Sequence, residues 1–532
     1  MLARALCLTA VWLSPAALLG LAPLLLADGT RGLGPPLALG GGAVLAAVLL
    51  AGPWARVPTD RGTLVDLGRR RWPSAALQPL AVATAGSAFL FVWAQLAALG
   101  ELGRALGWPR PLPIGVAVIA LALAAWRREA GAPAAAFGAA LALMGLVVPL
   151  IAVLAATDPV WPRVWAEVAS RPDLVFAADG PWVRDGHPVH GVGRELMLPV
   201  TEEQRVVLLG RGPVRVEAWE GGTSRQHIAA PVDLTLRPGD RLVVPDGFPV
   251  RFEAGRRIPG APPSGIAWAD LPERPYDQGR LVGLGVALAF GALGLAPGHA
   301  LLPAGRAGDR AAVLAAALAI VGLAASLLWS LYAAWLVPEV YLGGVAGSEV
   351  YELPGAVAAL GSVGPALRDL ALLGLAAGGF TGALAALAGA ARAAWPEHHG
   401  AALVLAFVVP AAVLAAAAPV GAWPVLIAAF GLAASAAAPA AVLAGWRERL
   451  SPRGVAMGAS VGLVVFVGLT VGHLWQLAGL GGAAPESWVG FLAAWPSLTA
   501  MPLNALVAWT LSPGPRPSPR APLSPGFADL QG

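Results

Sequence analysis

Twelve long apolar stretches run through this chain. A helix of about 20 apolar residues, rising about 1.5 Å per residue, spans a hydrocarbon core of roughly 30 Å. The stretches fall at 5–26, 35–55, 76–99, 111–126 and 133–156 and, after a long polar interval, at 281–303, 310–336, 367–391, 401–419, 423–445, 455–477 and 488–511. The segment 111–126 is the shortest of them. This pattern predicts a polytopic α-helical membrane protein with about 12 transmembrane helices, five before and seven after an inserted extracytoplasmic all-β domain, a small sandwich or barrel. The expected division is 1–156 for the first five helices, 157–280 for the β-rich domain, 281–511 for the last seven helices, and 512–532 for a Pro-rich disordered cytoplasmic tail. Met1 to Ala27 reads as a retained first helix and not as a cleaved signal, because a second apolar stretch follows almost at once.

Composition agrees. Hydrophobic residues make up 57% and charged residues 12%, roughly half the charged share of a soluble domain, so the solvent for most of the chain is lipid. All 35 basic residues are Arg, and they sort by loop. With the N-terminus inside, sixteen fall on the cytoplasmic side: Arg4, Arg56, Arg61, Arg69, Arg70, Arg71, Arg127, Arg128, Arg306, Arg310, Arg392, Arg447, Arg449, Arg453, Arg516 and Arg520. The opposite short loops hold Arg31, Arg104, Arg110 and Arg368. Cationic loops stay on the cytoplasmic side during insertion, so this bias places both termini in the cytoplasm of a bacterial cell and the long polar interval on the outer face of the inner membrane. The arginines form no stripe, which argues against a nucleic-acid partner despite the net charge of +4. One cysteine, Cys7, leaves no basis for an internal disulfide, a Cys-ligated zinc, an iron-sulfur cluster or a CxxCH haem, and no cofactor is predicted.

The interval 157–280 changes to short alternating runs separated by Pro and Gly. Residues 205–209, 214–219, 232–236, 241–245 and 250–254 read as strands, and Trp161 to Ser170 as a short interfacial helix anchored by Trp161 and Trp165. Within it, Gly239-Asp-Arg-Leu-Val-Val-Pro245-Asp-Gly247-Phe-Pro-Val250-Arg-Phe resembles the second conserved hairpin of the cupin family, over residues 239–252 only. The resemblance implies a cupin-like barrel without the family's metal, since Val250 stands where a metal-binding cupin places a His and no upstream His-x-His supplies the other ligands. Pro-Gly-Asp turns also serve unrelated small β domains. His187 and His190, three residues apart beside Asp185, are the candidate metal pair, although zinc takes four ligands and only one further candidate lies near.

Polar residues at membrane depth are costly and so are functional candidates. His473, with Gln476, near one end of the segment 455–477 is a candidate proton or packing site, and His299 falls at the other side of the bilayer. The segment from Pro338 to Pro354 repeats Glu-Val-Tyr at a ten-residue interval and carries Glu339, Glu349 and Glu352, with Asp369 at the start of the next span. These carboxylates are the catalytic candidates, either a cation-attracting mouth or an acid and base, or else a solvated docking loop. The leading expectation is a subunit or assembly scaffold of a membrane complex, with partners in the membrane or periplasm and the β domain docking one of them. A secondary transporter and a membrane enzyme for a lipid-linked substrate are the alternatives.

Overall fold

The computed structural model describes the chain from Leu2 to Ser512 except residues 15, 19, 22–23, 25–28, 56–64, 66–71, 106–107, 127–130, 158–160, 171–174, 176–179, 182–195, 201, 211, 218–222, 229–231, 245–249, 254, 258–263, 267–274, 300–305, 337–364, 395–403, 418–420, 447–449 and 478–487. It is mostly helical. In lipid every backbone N–H and C=O must find a partner within the chain, and an apolar run meets that demand by coiling. The helices are α1 (Leu2–Trp12), α2 (Gly34–Ala55), α3 (Ser74–Ala105), α4 (Pro111–Trp126), α5 (Gly131–Thr157), α6 (Trp161–Ser170), α7 (Pro275–His299), α8 (Arg306–Leu336), α9 (Pro365–Ala394), α10 (Val409–Ala417 after a π turn at Val404–Val408), α11, α12 (Pro452–Leu477), α13 (Trp488–Ala494) and α14 (Ser497–Thr510). α11 is one span in three pieces, Ala422–Leu432, a π turn at Ala433–Ala437 and Ala438–Trp446.

Six of the described helices are long and apolar enough to cross a membrane, which is what a membrane-spanning protein requires. They are α3, α5, α8, α9, α11 and α12. The expectation of twelve is therefore met in part. Five more apolar helices of 10–17 residues lie where the sequence predicts spans, in α1, α2, α4, α7 and α10. The last predicted span is not straight: α13 and α14 meet at 80° across Trp495 and Pro496, and counting them as one gives a seventh. Pro496 cannot donate a helical hydrogen bond, and Trp495 lies against Gly283 of α7, so a proline and a packed indole fix the bend.

α11 is the centre of the body. Of its apolar window 83% is buried, against 33% for α12, which leaves most of α12 facing outward. Neighbours reach α11 through glycines. A Cβ on Gly291 of α7 would lie 2.6 Å from the carbonyl oxygen of Phe430, and Gly294 and Gly462 sit as tightly against Ala433 and Ser435. α5 and α9 cross in the same way, with Gly145 against Gly374 and Gly138 against Thr381. Recurrent glycine in these spans thus serves close helix packing, which in lipid replaces hydrophobic drive. Buried tryptophans add direct ties: Trp12 Nε1 donates to Ala292 O at 3.1 Å, joining α1 to α7, and Trp329 Nε1 to Leu146 O at 3.0 Å, joining α8 to α5.

The polar interval holds a small antiparallel sheet region and, before it, α6 at the ten residues predicted for it. Its strands are β1 (Gly180–Pro181), β2 (Leu196–Pro199), β3 (Gln204–Leu208), β4 (Gly212–Glu217), β5 (Thr223–Ile228), β6 (Val232–Leu236), β7 (Arg241–Val244) and β8 (Val250–Phe252). Two four-stranded sheets form, in the orders β1-β8-β3-β6 and β2-β7-β4-β5. β1 pairs with β8, β2 with β7, β3 with β6 and β4 with β5, so the segment is one long nested hairpin, folded over so that β3 also meets β8 and β4 meets β7. β7 and β8, the strands of the cupin-like stretch, therefore lie in different sheets. Alternation packs the inner face: Val206, Leu208, Val214, Leu236, Leu242, Val250 and Phe252 are buried while Arg205 and Arg251 point out.

The β6–β7 turn shows how local chemistry sets this register. Pro238 holds the first corner, Gly239 takes φ 94°, Asp240 N donates to Arg237 O at 3.0 Å, and Arg237 N donates to the Asp240 carboxylate at 2.8 Å. Gly239 N donates to Val200 O at 2.8 Å and Val200 N to Asp240 O at 2.9 Å, tying the turn to the chain entering β3. Gly239→Ala is expected to cost about 1 kcal/mol or more, because a Cβ at positive φ is strained. Hydrogen exchange of β6 and β7 in the intact protein checks it: exchange there should quicken while the helices are unchanged.

Candidate functional site

Most of the predicted site residues lie outside the described residues: Glu339, Glu349, Glu352, His187 and His190, together with the segment 395–399, Arg69 to Arg71 and the tail from 513. Asp369 is described, and stands exposed on α9, just past its first turn. His473 is half-buried on α12, with its Nδ1 shielded and without a hydrogen-bond partner among the described residues. Asp369 and His473 stand on different helices, and among the described residues no three His, Cys, Asp or Glu side chains come close enough to hold a metal ion. On the β region, the hydrogen bond from Arg205 to Asp233, and then the charge of that carboxylate, push the guanidinium further above its ordinary range. Both side chains are about half exposed, so the pair is a surface feature.

Three clusters stand out among the polar groups buried inside the helical body. At one end of α3, Glu101 and Arg110, each about 5% exposed, form an ion pair at 3.5 Å just before α4 begins. In the centre, Asn504 of α14 donates from Nδ2 to Ser435 O at 2.8 Å and Ala436 O at 3.1 Å, inside the π turn of α11. A π turn shifts carbonyls off the helical ladder, and the chain's single Asn caps two of them. Gly458 makes room: a Cβ there would lie 2.5 Å from Asn504 Oδ1. Asn504→Leu is expected to destabilise the body by about 1 to 2 kcal/mol, since two carbonyls lose their donor. Thermal unfolding in mild detergent measures it, and an unchanged midpoint would show the amide to be dispensable.

The third place is the break in the first predicted span. α1 ends at Trp12, and Leu13 N still donates to Thr9 O at 2.8 Å. Helix resumes after Ser14 and Pro15, with Ala17 N and Leu18 N both donating to Ser14 O at 2.9 Å and Ala17 N reaching Ser14 Oγ at 3.3 Å. Ser14 and Pro15 explain the break: the hydroxyl offers the backbone an alternative acceptor and proline offers no N–H. Gln95 of α3 completes it, its Oε1 accepting from Ala16 N at 3.4 Å. Ser14 and Gln95 are both fully buried, and Gln95 Nε2 has no hydrogen-bond partner among the described residues. Thr9 lies one turn before, its hydroxyl shared between Ala5 O at 2.8 Å and Ala315 O of α8 at 3.2 Å. A cavity of about 10 Å³ borders the break, lined by Thr9, Leu13, Leu18, Leu143, Leu146 and Gly378. Broken helices inside a bundle are tolerated where they line such polar or hollow places.

None of these three clusters was anticipated as a site. The signals were present: Ser-Pro inside an apolar run, and Gln95 and Glu101 six residues apart on another. Chemically, the polar side chains described at the break, Thr9, Ser14 and Gln95, offer hydrogen bonds, and none of the three is an acid or a base. No family model matches the chain, and no curated protein matches it significantly.

Proposed function

We propose that this chain is a subunit or assembly scaffold of a membrane complex, a polytopic protein of a bacterial inner membrane with up to twelve spans and both termini in the cytoplasm. In this reading the strand region is a jelly-roll domain of cupin-like shape on the periplasmic side, where it docks a partner. The nested pairing of β1 with β8 through β4 with β5 supports that domain type. The observation that carries the functional reading is the closure of the helical body by backbone contact at α5–α9, α7–α11 and α11–α12. Helices seated on one another through glycine cannot slide or rock without losing those contacts, which suits a rigid anchor. Native mass spectrometry of the protein extracted from its own membranes in mild detergent tests it. A fixed-stoichiometry assembly is the expected result; the mass of one chain alone would sink the reading.

A secondary transporter is the second reading, and the break in α1 favours it, because transporter sites are commonly built on discontinuous helices near the middle of the bilayer. That reading expects Gln95→Leu to abolish flux while the protein still folds.

A further inference from the structure

The break in α1 carries more polar capacity than its own bonds use. Gln95 is 0% exposed; its Oε1 is engaged by Ala16 N, and the two N–H groups on Nε2 have no acceptor among the described residues. A buried amide left without a partner costs about 1–3 kcal/mol. The break also removes helical donors from carbonyls on the other side. Pro15 brings no N–H to Val11 O, and Ala16 N turns to Gln95, away from Trp12 O. Ser14 Oγ accepts from Ala17 N, which leaves its own O–H as a further donor.

We propose that an internal water molecule is bound at this break, accepting from Gln95 Nε2 and donating to the carbonyls that the break releases. The chemistry selects water over an ion. A cation is repelled by an amide NH2 group, and an anion would meet released carbonyl oxygens. A neutral molecule that both donates and accepts satisfies both sides at once, and water is the smallest such molecule; the small cavity beside the break is a separate, apolar space that Thr9, Leu13 and Leu18 line and Gln95 does not. Water inserted into the helical ladder is also a recognised cause of a sharp bend. The site serves an anchor, as a permanent filler, or a path, as a hydrated step in the bundle.

Radiolytic hydroxyl-radical footprinting of the intact protein in detergent tests this, because radicals formed at bound interior waters oxidise the side chains beside them. Leu13 and Leu18 flank the break and are buried, as are Leu426 of α11 and Leu288 of α7. Leu13 and Leu18 are expected to oxidise several-fold faster than Leu426 and Leu288. Gln95→Leu should bring them down to the rate of that pair, and Gln95→Glu, which retains hydrogen-bonding capacity, should not. Equal rates for the two pairs in the unmodified protein overturn the proposal, and that comparison needs no variant to fold.

Discussion

Arg110→Met with Glu101 left in place is expected to destabilise the protein by about 3–5 kcal/mol, enough to abolish recovery of folded protein from most detergents. The ion pair is nearly sealed from solvent, and Gly100 lets the arginine lie flat on α3: a Cβ there would meet Arg110 Cγ at 2.9 Å. Removing the guanidinium takes the Arg110 charge away from a carboxylate about 5% exposed, and losing one member of a buried ion pair costs more than the pair itself is worth. The double replacement Glu101→Leu with Arg110→Met should therefore recover most of the loss, and a double-mutant cycle on thermal midpoints reads the difference. If the double variant is as unstable as the single one, the charge is not what matters there. In that case the side-chain volume of Arg110, packed between Gly100 and the start of α4, is the stabilising element.

Gly145→Leu and Gly374→Leu are each expected to cost about 3 kcal/mol or more, because a side chain at either position must be accommodated by moving backbone. The two glycines face one another where α5 and α9 cross, and a Cβ on either would lie 2.7 Å from the other's Cα. No rotamer relieves that overlap. The helices would have to separate, and the second contact of the pair, Gly138 with Thr381, would open with them. Gly115→Leu on α4 is the matched control. It adds the same side chain to an apolar helix where nothing lies within 4 Å of the new Cβ, so its unfolding midpoint should be unchanged. Fluorescence-detected size exclusion after a heat step separates the two outcomes, and equal survival of all three variants would contradict a backbone seam between α5 and α9.

The candidate residues chosen from sequence and those found in the structure barely overlap, and the reason is physical. Glu339, Glu349 and Glu352 drew notice because three carboxylates in seventeen residues stand out in a chain so poor in charge. They lie outside the described residues, so their grouping rests on sequence alone. Gln95, Ser14 and Asn504 drew none, because single neutral polar residues in apolar runs look like ordinary packing positions. Each acquires meaning only from a partner distant in sequence: Gln95 from Ala16, 79 residues away, and Asn504 from Ser435, 69 residues away. In the β region the strands with apolar alternation, β3, β4, β6, β7 and β8, were legible to within a few residues. β5, Thr-Ser-Arg-Gln-His-Ile, was not, since an edge strand is held by its backbone pairing to β4 and needs no apolar face.

Apolar length and the periodicity of the polar interval determined, from sequence alone, that this chain is mostly helical, fit to span a membrane, and interrupted by a small antiparallel sheet region. Those properties follow from the transfer of each segment between water and lipid, which depends on local composition. Tertiary structure alone decided that α11 is the centre, that glycines seat its neighbours against it, that α13 and α14 bend, and where buried amides meet broken helices. Those outcomes depend on which backbones approach one another, and lipid gives no hydrophobic preference that would write such pairings into the apolar pattern.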